Sequence, residues 1–161
     1  MKVTLNLRKD YTTHMPMLIR AVQATRGPVL ELGAGVFSTP LLHWLCATDR
    51  RRLETYEDDK GIFEFANKFR SGNHKVHLVE DWDRIEIDKH WDVVLVDHGG
   101  DRRGVDALRL KDNAHYIVLH DSETDIYGYS GVYPHFRYIH HWKACRPWTT
   151  VLSNYMVGSW N

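Results

Sequence analysis

Apolar, β-branched runs recur along the chain at "PVLELG" (28–33), "RRLETYE" (51–57), "KVHLVE" (75–80), "WDVVLVD" (91–97) and "HYIVLHD" (115–121). Between them lie helix-compatible segments, "STPLLHWLCATD", "KGIFEFANKFRSG" and "GVDALRLKDN". In the second, Ile62, Phe65, Ala66 and Phe69 recur at helical spacing, and Gly72 follows as the expected C-cap. "HMPMLIRAVQAT" predicts a further helix feeding the first strand. Strand and helix in alternation mean βαβ units and a parallel sheet covered on both faces. Runs such as "VVLV" and "YIVL" fit strands buried on both sides.

The last third changes character. "RYIHHWKA" and "WTTVLSNYMVG" read as two strands separated by "CRP", too short for a crossover helix, so they are expected as antiparallel neighbours. The segment 123–136, "ETDIYGYSGVYPHF", is rich in Gly and Tyr and has no period. It is expected to form a mobile lid over a bound acceptor, with Gly128 and Gly131 as hinges. The fold class is α/β, a three-layer sandwich around a doubly wound, mostly parallel sheet that ends in an antiparallel hairpin.

A length of 161 residues suits a single domain spanning 1–161. Twenty-one basic residues balance twenty-one acidic ones, so no global field attracts nucleic acid or an anionic membrane. No run is long enough to span a bilayer, and the start has no apolar signal region. The two cysteines, Cys46 and Cys145, form neither a metal-ligand spacing nor a disulfide framework. A cytoplasmic protein is expected. Nothing in the sequence sets an oligomeric state.

The strand ends carry the candidate chemistry. Glu31, Glu57, Glu80 with Asp81, Asp97 and Asp121 all fall at or just past the carboxyl end of an apolar run. That edge is where open parallel sheets bind ligands. The first turn, Gly33-Ala34-Gly35-Val36-Phe37-Ser38, lacks the third glycine of a dinucleotide fingerprint, and Phe37 would crowd a pyrophosphate. Glu31 near this turn repels phosphate and suits an ammonium. Glu57 is placed to accept both hydroxyls of a ribose, and Asp81-Trp82 offers a carboxylate and an aromatic wall for a base.

Ammonium, ribose and adenine in that order describe S-adenosylmethionine. With "ELGAG", "LETYEDD", "VEDWD" and "WDVVLVDHGGDRRG" as successive motifs, residues 14 to 157 resemble the class I S-adenosylmethionine-dependent methyltransferases. The pair "VDH" and "LHD" is similar to the branch with Asp-His after the fourth strand and His-Asp after the fifth. The resemblance implies a seven-stranded sheet and transfer of a methyl group to a small-molecule acceptor at a hydroxyl oxygen. It implies that Gly33, Ala34, Gly35, Phe37 and Ser38 approach the cofactor's methionine part, supported by Glu31. Glu57 with Asp58 would hold the ribose, and Asp81 with Trp82 would flank adenine. Asp97 would face the sulfonium, and His14, in "THMPML", would lie at the methionine end. Asp97, His98, His120 and Asp121 are the catalytic candidates, the histidines and Asp121 as general bases.

A divalent metal at Asp97 and Asp121 is left open but not favoured, because Ser122 stands where metal-binding members carry Asn or Asp. "DRR" (101–103) reads as a solvated loop, with the alternative that its two arginines, beside the site, hold an acidic acceptor. The rival readings are a non-catalytic cofactor-binding module and a nicotinamide-dependent oxidoreductase.

Overall fold

The computed structural model describes residues 8–155. Residues 1–7 and 156–161, including the end of the last expected strand, lie outside the described residues. Five helices, α1 (Met15–Gln23), α2 (Ser38–Thr48), α3 (Lys60–Ala66), α4 (Arg103–Arg109) and α5 (Tyr129–Val132), surround one sheet. Its strands are β1 (Val29–Leu32), β2 (Leu53–Glu57), β3 (His74–Leu78), β4 (Trp91–Val96), β5 (Ala114–Leu119), β6 (Tyr138–Trp142) and β7 (Thr149–Ser153).

The spatial order is β3-β2-β1-β4-β5-β7-β6. The first five strands pair in parallel, and β7 runs antiparallel to both β5 and β6. The chain turns back across the sheet between β1 and β4, so the carboxyl edge opens there. The expected hairpin is present, with its second strand inserted against β5.

Side chains alternate along each strand and divide the core into two layers. Leu30, Leu32, Val94, Val96, Ile117 and Leu119 pack with Ala107 of α4, its C-cap Leu110, and Tyr129 and Val132 of α5. Val29, Val93, Leu95, Tyr116 and Val118 pack with Met17, Leu18, Leu42 and Cys46 of α1 and α2. Full burial of an aliphatic side chain contributes about 1.5–3 kcal/mol, so both layers hold the sheet.

Two expectations fail. Gly72 does not cap α3. That helix ends at Ala66, and a 3₁₀ turn over Asn67–Phe69 takes the chain to β3. The segment 123–136 is not built as a lid either. Tyr129 and Val132 are buried in the core, and the Gly104 amide of α4 donates to the Tyr127 carbonyl at 3.2 Å. A Cβ on Gly104 would meet that carbonyl at 2.5 Å, so the missing side chain is what lets this segment lie flat on α4.

Gly33 closes β1 with φ of 91°, a conformation that disfavours residues with a Cβ. A Cβ there would also run into the backbone of Asp97 and His98 at the end of β4. Its first requirement is therefore the fit of two strand ends. Gly33→Ala is expected to cost about 2 kcal/mol or more of unfolding free energy, measured by urea denaturation; unchanged stability would show that the strand ends can part freely.

Candidate functional site

A pocket of about 460 Å³ opens at the carboxyl edge where β1 and β4 diverge. Its walls come from Asp10, Tyr11 and His14 ahead of α1, from the 34–38 turn, from Ile62 of α3, and from Asp97, Arg103, His120, Asp121 and Pro147. Of the sequence candidates it gathers His14, Ala34, Gly35, Phe37, Ser38, Asp97, His120 and Asp121. Glu31, Gly33, Glu57, Asp58, Asp81, Trp82 and His98 lie elsewhere.

Strand parity explains the sorting. Asp97 continues the Val93–Leu95 series, and His120 continues Tyr116–Val118, so both point to the α1 face. Register aligns Val96 with Leu119, which sets Asp97 beside His120. His120 Nδ1 lies 3.1 Å from Asp97 Oδ1, and its Nε2 lies 3.0 Å from the Thr13 hydroxyl. Burial alone would lower the His120 pKa, but the hydrogen bond and charge of Asp97, helped by Asp121, raise it. Burial would raise the Asp97 pKa, and His120, then Arg103 and His14, outweigh that and lower it.

His98 falls on the opposite face. It is buried, its Nε2 lies 3.0 Å from Asp106 Oδ2 of α4, and its ring packs on Trp82 at 4.4 Å. The structure thus removes His98 from the catalytic candidates, because one residue of strand advance turns a side chain through the sheet.

Arg103, expected in a solvated loop, is buried at the start of α4. Its guanidinium donates to the carbonyls of Asp97 and His98 at 3.1 and 2.6 Å. It also pairs with Asp97 Oδ1 at 3.1 Å and Asp121 Oδ2 at 2.9 Å, and it lies over the Tyr127 ring at 4.1 Å. A cation shared by Asp97 and Asp121 would meet this guanidinium, so the two acids are bridged by Arg103. Asp121 sits at φ of 53°, which turns its side chain back toward the pocket. The sequence signal for Arg103 was an arginine opening a helix just after one strand-end acid and before another.

Two glutamates stand behind the turn. Glu31, on the α2 face, is fully buried; its Oε2 accepts from Thr39 at 2.9 Å and Thr55 at 2.7 Å. Burial pushes its pKa up to about 7 against the hydrogen bonds of Ser38, Thr55 and Thr39. It braces the first turn of α2 and does not reach the pocket wall. Glu57 accepts from the Ala34 amide at 2.7 Å through Oε2 and from the Asp59 amide at 2.7 Å through Oε1. Burial raises its pKa to about 7 as well.

The adenine candidates make local contacts. Asp81 Oδ1 accepts from the Asp83 amide at 2.9 Å, and its Oδ2 pairs with Arg84. Trp82 packs in the core, and its indole donates to Asp58 Oδ2 at 3.1 Å. Asp10, Tyr11, Val36, Ile62 and Pro147 also line the pocket and are not among the site residues expected from the sequence. No helix among the described residues is long and apolar enough to cross a membrane.

No family model matches this sequence, and no curated protein matches it. Solved structures do match in fold. The N-terminal domain of human METTL16 in complex with SAH superposes with a TM-score of 0.64 at 14% identity, covering 95% of this chain and 73% of that one. Human methyltransferase-like protein 13 in complex with SAH gives 0.62 at 15%, covering 87% and 80%. A methyltransferase from Pyrococcus furiosus gives 0.57 at 16%, covering 90% and 84%. The chain has the class I methyltransferase fold.

Two outcomes follow from this geometry. Arg103→Met leaves Asp97 and Asp121 with His120 as their one remaining cationic neighbour among the described residues, a loss of about 3–5 kcal/mol. Chemical denaturation at neutral pH that shows no destabilisation would refute the bridge. Glu31 has a folded pKa above its ordinary 4.5, so its folded form holds a proton that the unfolded chain releases. Stability is therefore lost as pH rises from 4.5 through about 7. Glu31→Gln should match the wild type near pH 4 and exceed it by about 2–3 kcal/mol at pH 7.5. Parallel denaturation curves for the two proteins at both pH values would count against a protonated Glu31.

Proposed function

We propose that this chain is a single-domain enzyme, spanning 1–161, that binds S-adenosylmethionine and transfers its methyl group to a hydroxyl oxygen of a small molecule. The observation that carries the reading is one pocket in which the glycine turn, the strand-end Asp97 and the His120–Asp97 pair meet. Similar folds solved with SAH support the choice of cofactor. SAH is the cofactor product S-adenosyl-homocysteine.

The residues present fit that group. Ala34 and Gly35 bring bare backbone to the pocket, and a Cβ on Gly35 would crowd the Ser38 hydroxyl at 2.7 Å. Asp97, held charged, faces the cationic end of the cofactor. Phe37 and Ile62 supply apolar wall. Glu57 keeps a lone pair on each oxygen after its two amide bonds and lies behind Ala34, toward the expected ribose. Trp82 and Asp81 support the adenine end only through Asp58 and the turn they build.

When bound, the cofactor would supply an activated methyl group, whose carbon bonds to the acceptor oxygen as its bond to sulfur breaks and S-adenosylhomocysteine leaves. The protein aligns donor and acceptor, and such positioning supplies about 7–11 kcal/mol of a barrier. The acceptor proton passes to His120, which Asp97 orients through Nδ1. A pocket of about 460 Å³ suits a small ligand, and balanced charge gives no steering toward a polyanion. Two free thiols, Cys46 and Cys145, fit a reducing, cytoplasmic setting.

Calorimetry with S-adenosylhomocysteine and with NAD tests the reading, which predicts binding of the first alone; NAD binding without the homocysteine would overturn it. Within that experiment Glu57→Gln places an amide donor against a backbone N–H. It is expected to weaken S-adenosylhomocysteine at least tenfold, since a bond to a charged acceptor is worth about 1.5–3 kcal/mol. Unchanged affinity in a folded variant would take Glu57 out of the cofactor site.

A further inference from the structure

We infer that His14, His120 and Asp97 form a binding site for one divalent transition-metal ion on the floor of this pocket. One ligand atom from each of the three lies within 4.8 Å of the others. Ligands bound at about 2.0–2.2 Å stand roughly 3–4 Å apart, so small side-chain rotations close the set on an ion. Two imidazoles and one carboxylate are the donor set of open-sided transition-metal centres, and the ring nitrogens select against Mg²⁺.

His14 is the independent sign. It is buried at 2% exposure and lines the pocket, yet neither ring nitrogen has a hydrogen-bond partner among the described residues. Burying an unpaired polar ring without a partner is costly, and a metal ligand would remove that cost. Its ring stands edge-on to His120 with centroids 4.8 Å apart. His120 is already arranged as a ligand would be. With Nδ1 turned to Asp97, its Nε2 lies 3.0 Å from the Thr13 hydroxyl, an outer contact that holds the ring plane.

The local charge permits a cation. Asp97 and Asp121 carry two negative charges and Arg103 returns one positive, which leaves one negative charge for the ion to meet. Arg103 Nη2 and His120 Nδ1 both lie 3.1 Å from Asp97 Oδ1, so the ion would take the place of the proton between Asp97 and His120 while Arg103 keeps its own contact. The inference goes beyond methyl transfer. Metal and proton compete for the His120–Asp97 pair, and a bound ion would take over from His120 the task of acidifying an acceptor hydroxyl.

The test uses the full chain, stripped with EDTA and titrated with Zn²⁺ against a chromophoric chelator, and with Co²⁺ read by its visible absorption. One Zn²⁺ is expected to bind, Mg²⁺ is expected not to compete, and Co²⁺ is expected to give bands of a nitrogen–oxygen site. His14→Ala and Asp97→Asn should each weaken Zn²⁺ at least tenfold. The His14 ring makes no hydrogen bond among the described residues, so thermal melts should show His14→Ala folded; His14→Gln serves if it is not. Zn²⁺ affinity equal in wild type and in the folded His14 variant would assign the binding to other histidines and overturn the site. S-adenosylhomocysteine binding measured on the same samples separates the two ideas. Zinc bound without it keeps the metal site and removes the methyltransferase reading, and the reverse result does the opposite.

Discussion

The Arg103 guanidinium ties the carboxyl ends of β4 and β5 together, and the site exists because it does. Two neighbouring parallel strands deliver Asp97 and Asp121 to the same edge, where their charges would repel in a partly buried setting. A buried arginine with several donors can meet both carboxylates and the free carbonyls beside them at once. It does so from the first residue of α4, so the helix that covers one face of the sheet also sets the floor of the pocket. Tyr127 lies flat on the same guanidinium, which draws the segment after β5 onto α4 and away from the opening. A solvated loop at 101–103 and a lid at 123–136 both give way to this one interaction.

Parity divides the polar residues at that edge into two groups with different tasks. On the α1 face, Asp97 and His120 meet His14 and Thr13 and remain open to the pocket. On the α4 face, His98 is held by Asp106 and Trp82 and serves the core. The same rule puts Glu31 under α2, where hydroxyls of Thr39 and Thr55 surround it. Adjacent residues in the chain thus end on opposite sides of a sheet about one side chain thick.

The glycine turn shows two demands on one short string. Gly33 is needed because the backbone of β4 passes too close for a Cβ, whatever is bound. Ala34 and Gly35 form pocket wall, and Glu57 fixes Ala34 by accepting from its amide. Both supporting carboxyls, Glu31 and Glu57, are pushed toward about 7 by burial. The turn is therefore braced from behind by groups whose charge changes near neutral pH.

The alternation of apolar strands and amphipathic helices determined the sheet, its parallel core and its final antiparallel pair, because period and loop length constrain pairing directly. It also determined that acids collect at one edge, since strands of equal direction end together. Which acids share a pocket was decided in three dimensions. His98 and His120 look alike beside Asp97 and Asp121 in the chain, yet register and parity place only His120 next to His14. Arg103 looks solvated until the carbonyls of β4 and β5 surround it. His14 lies more than eighty residues from Asp97 in sequence. Only the packing of α1 on β4 and β5 brings its unpaired ring to that carboxylate, because the meeting depends on contacts between elements that no local pattern encodes.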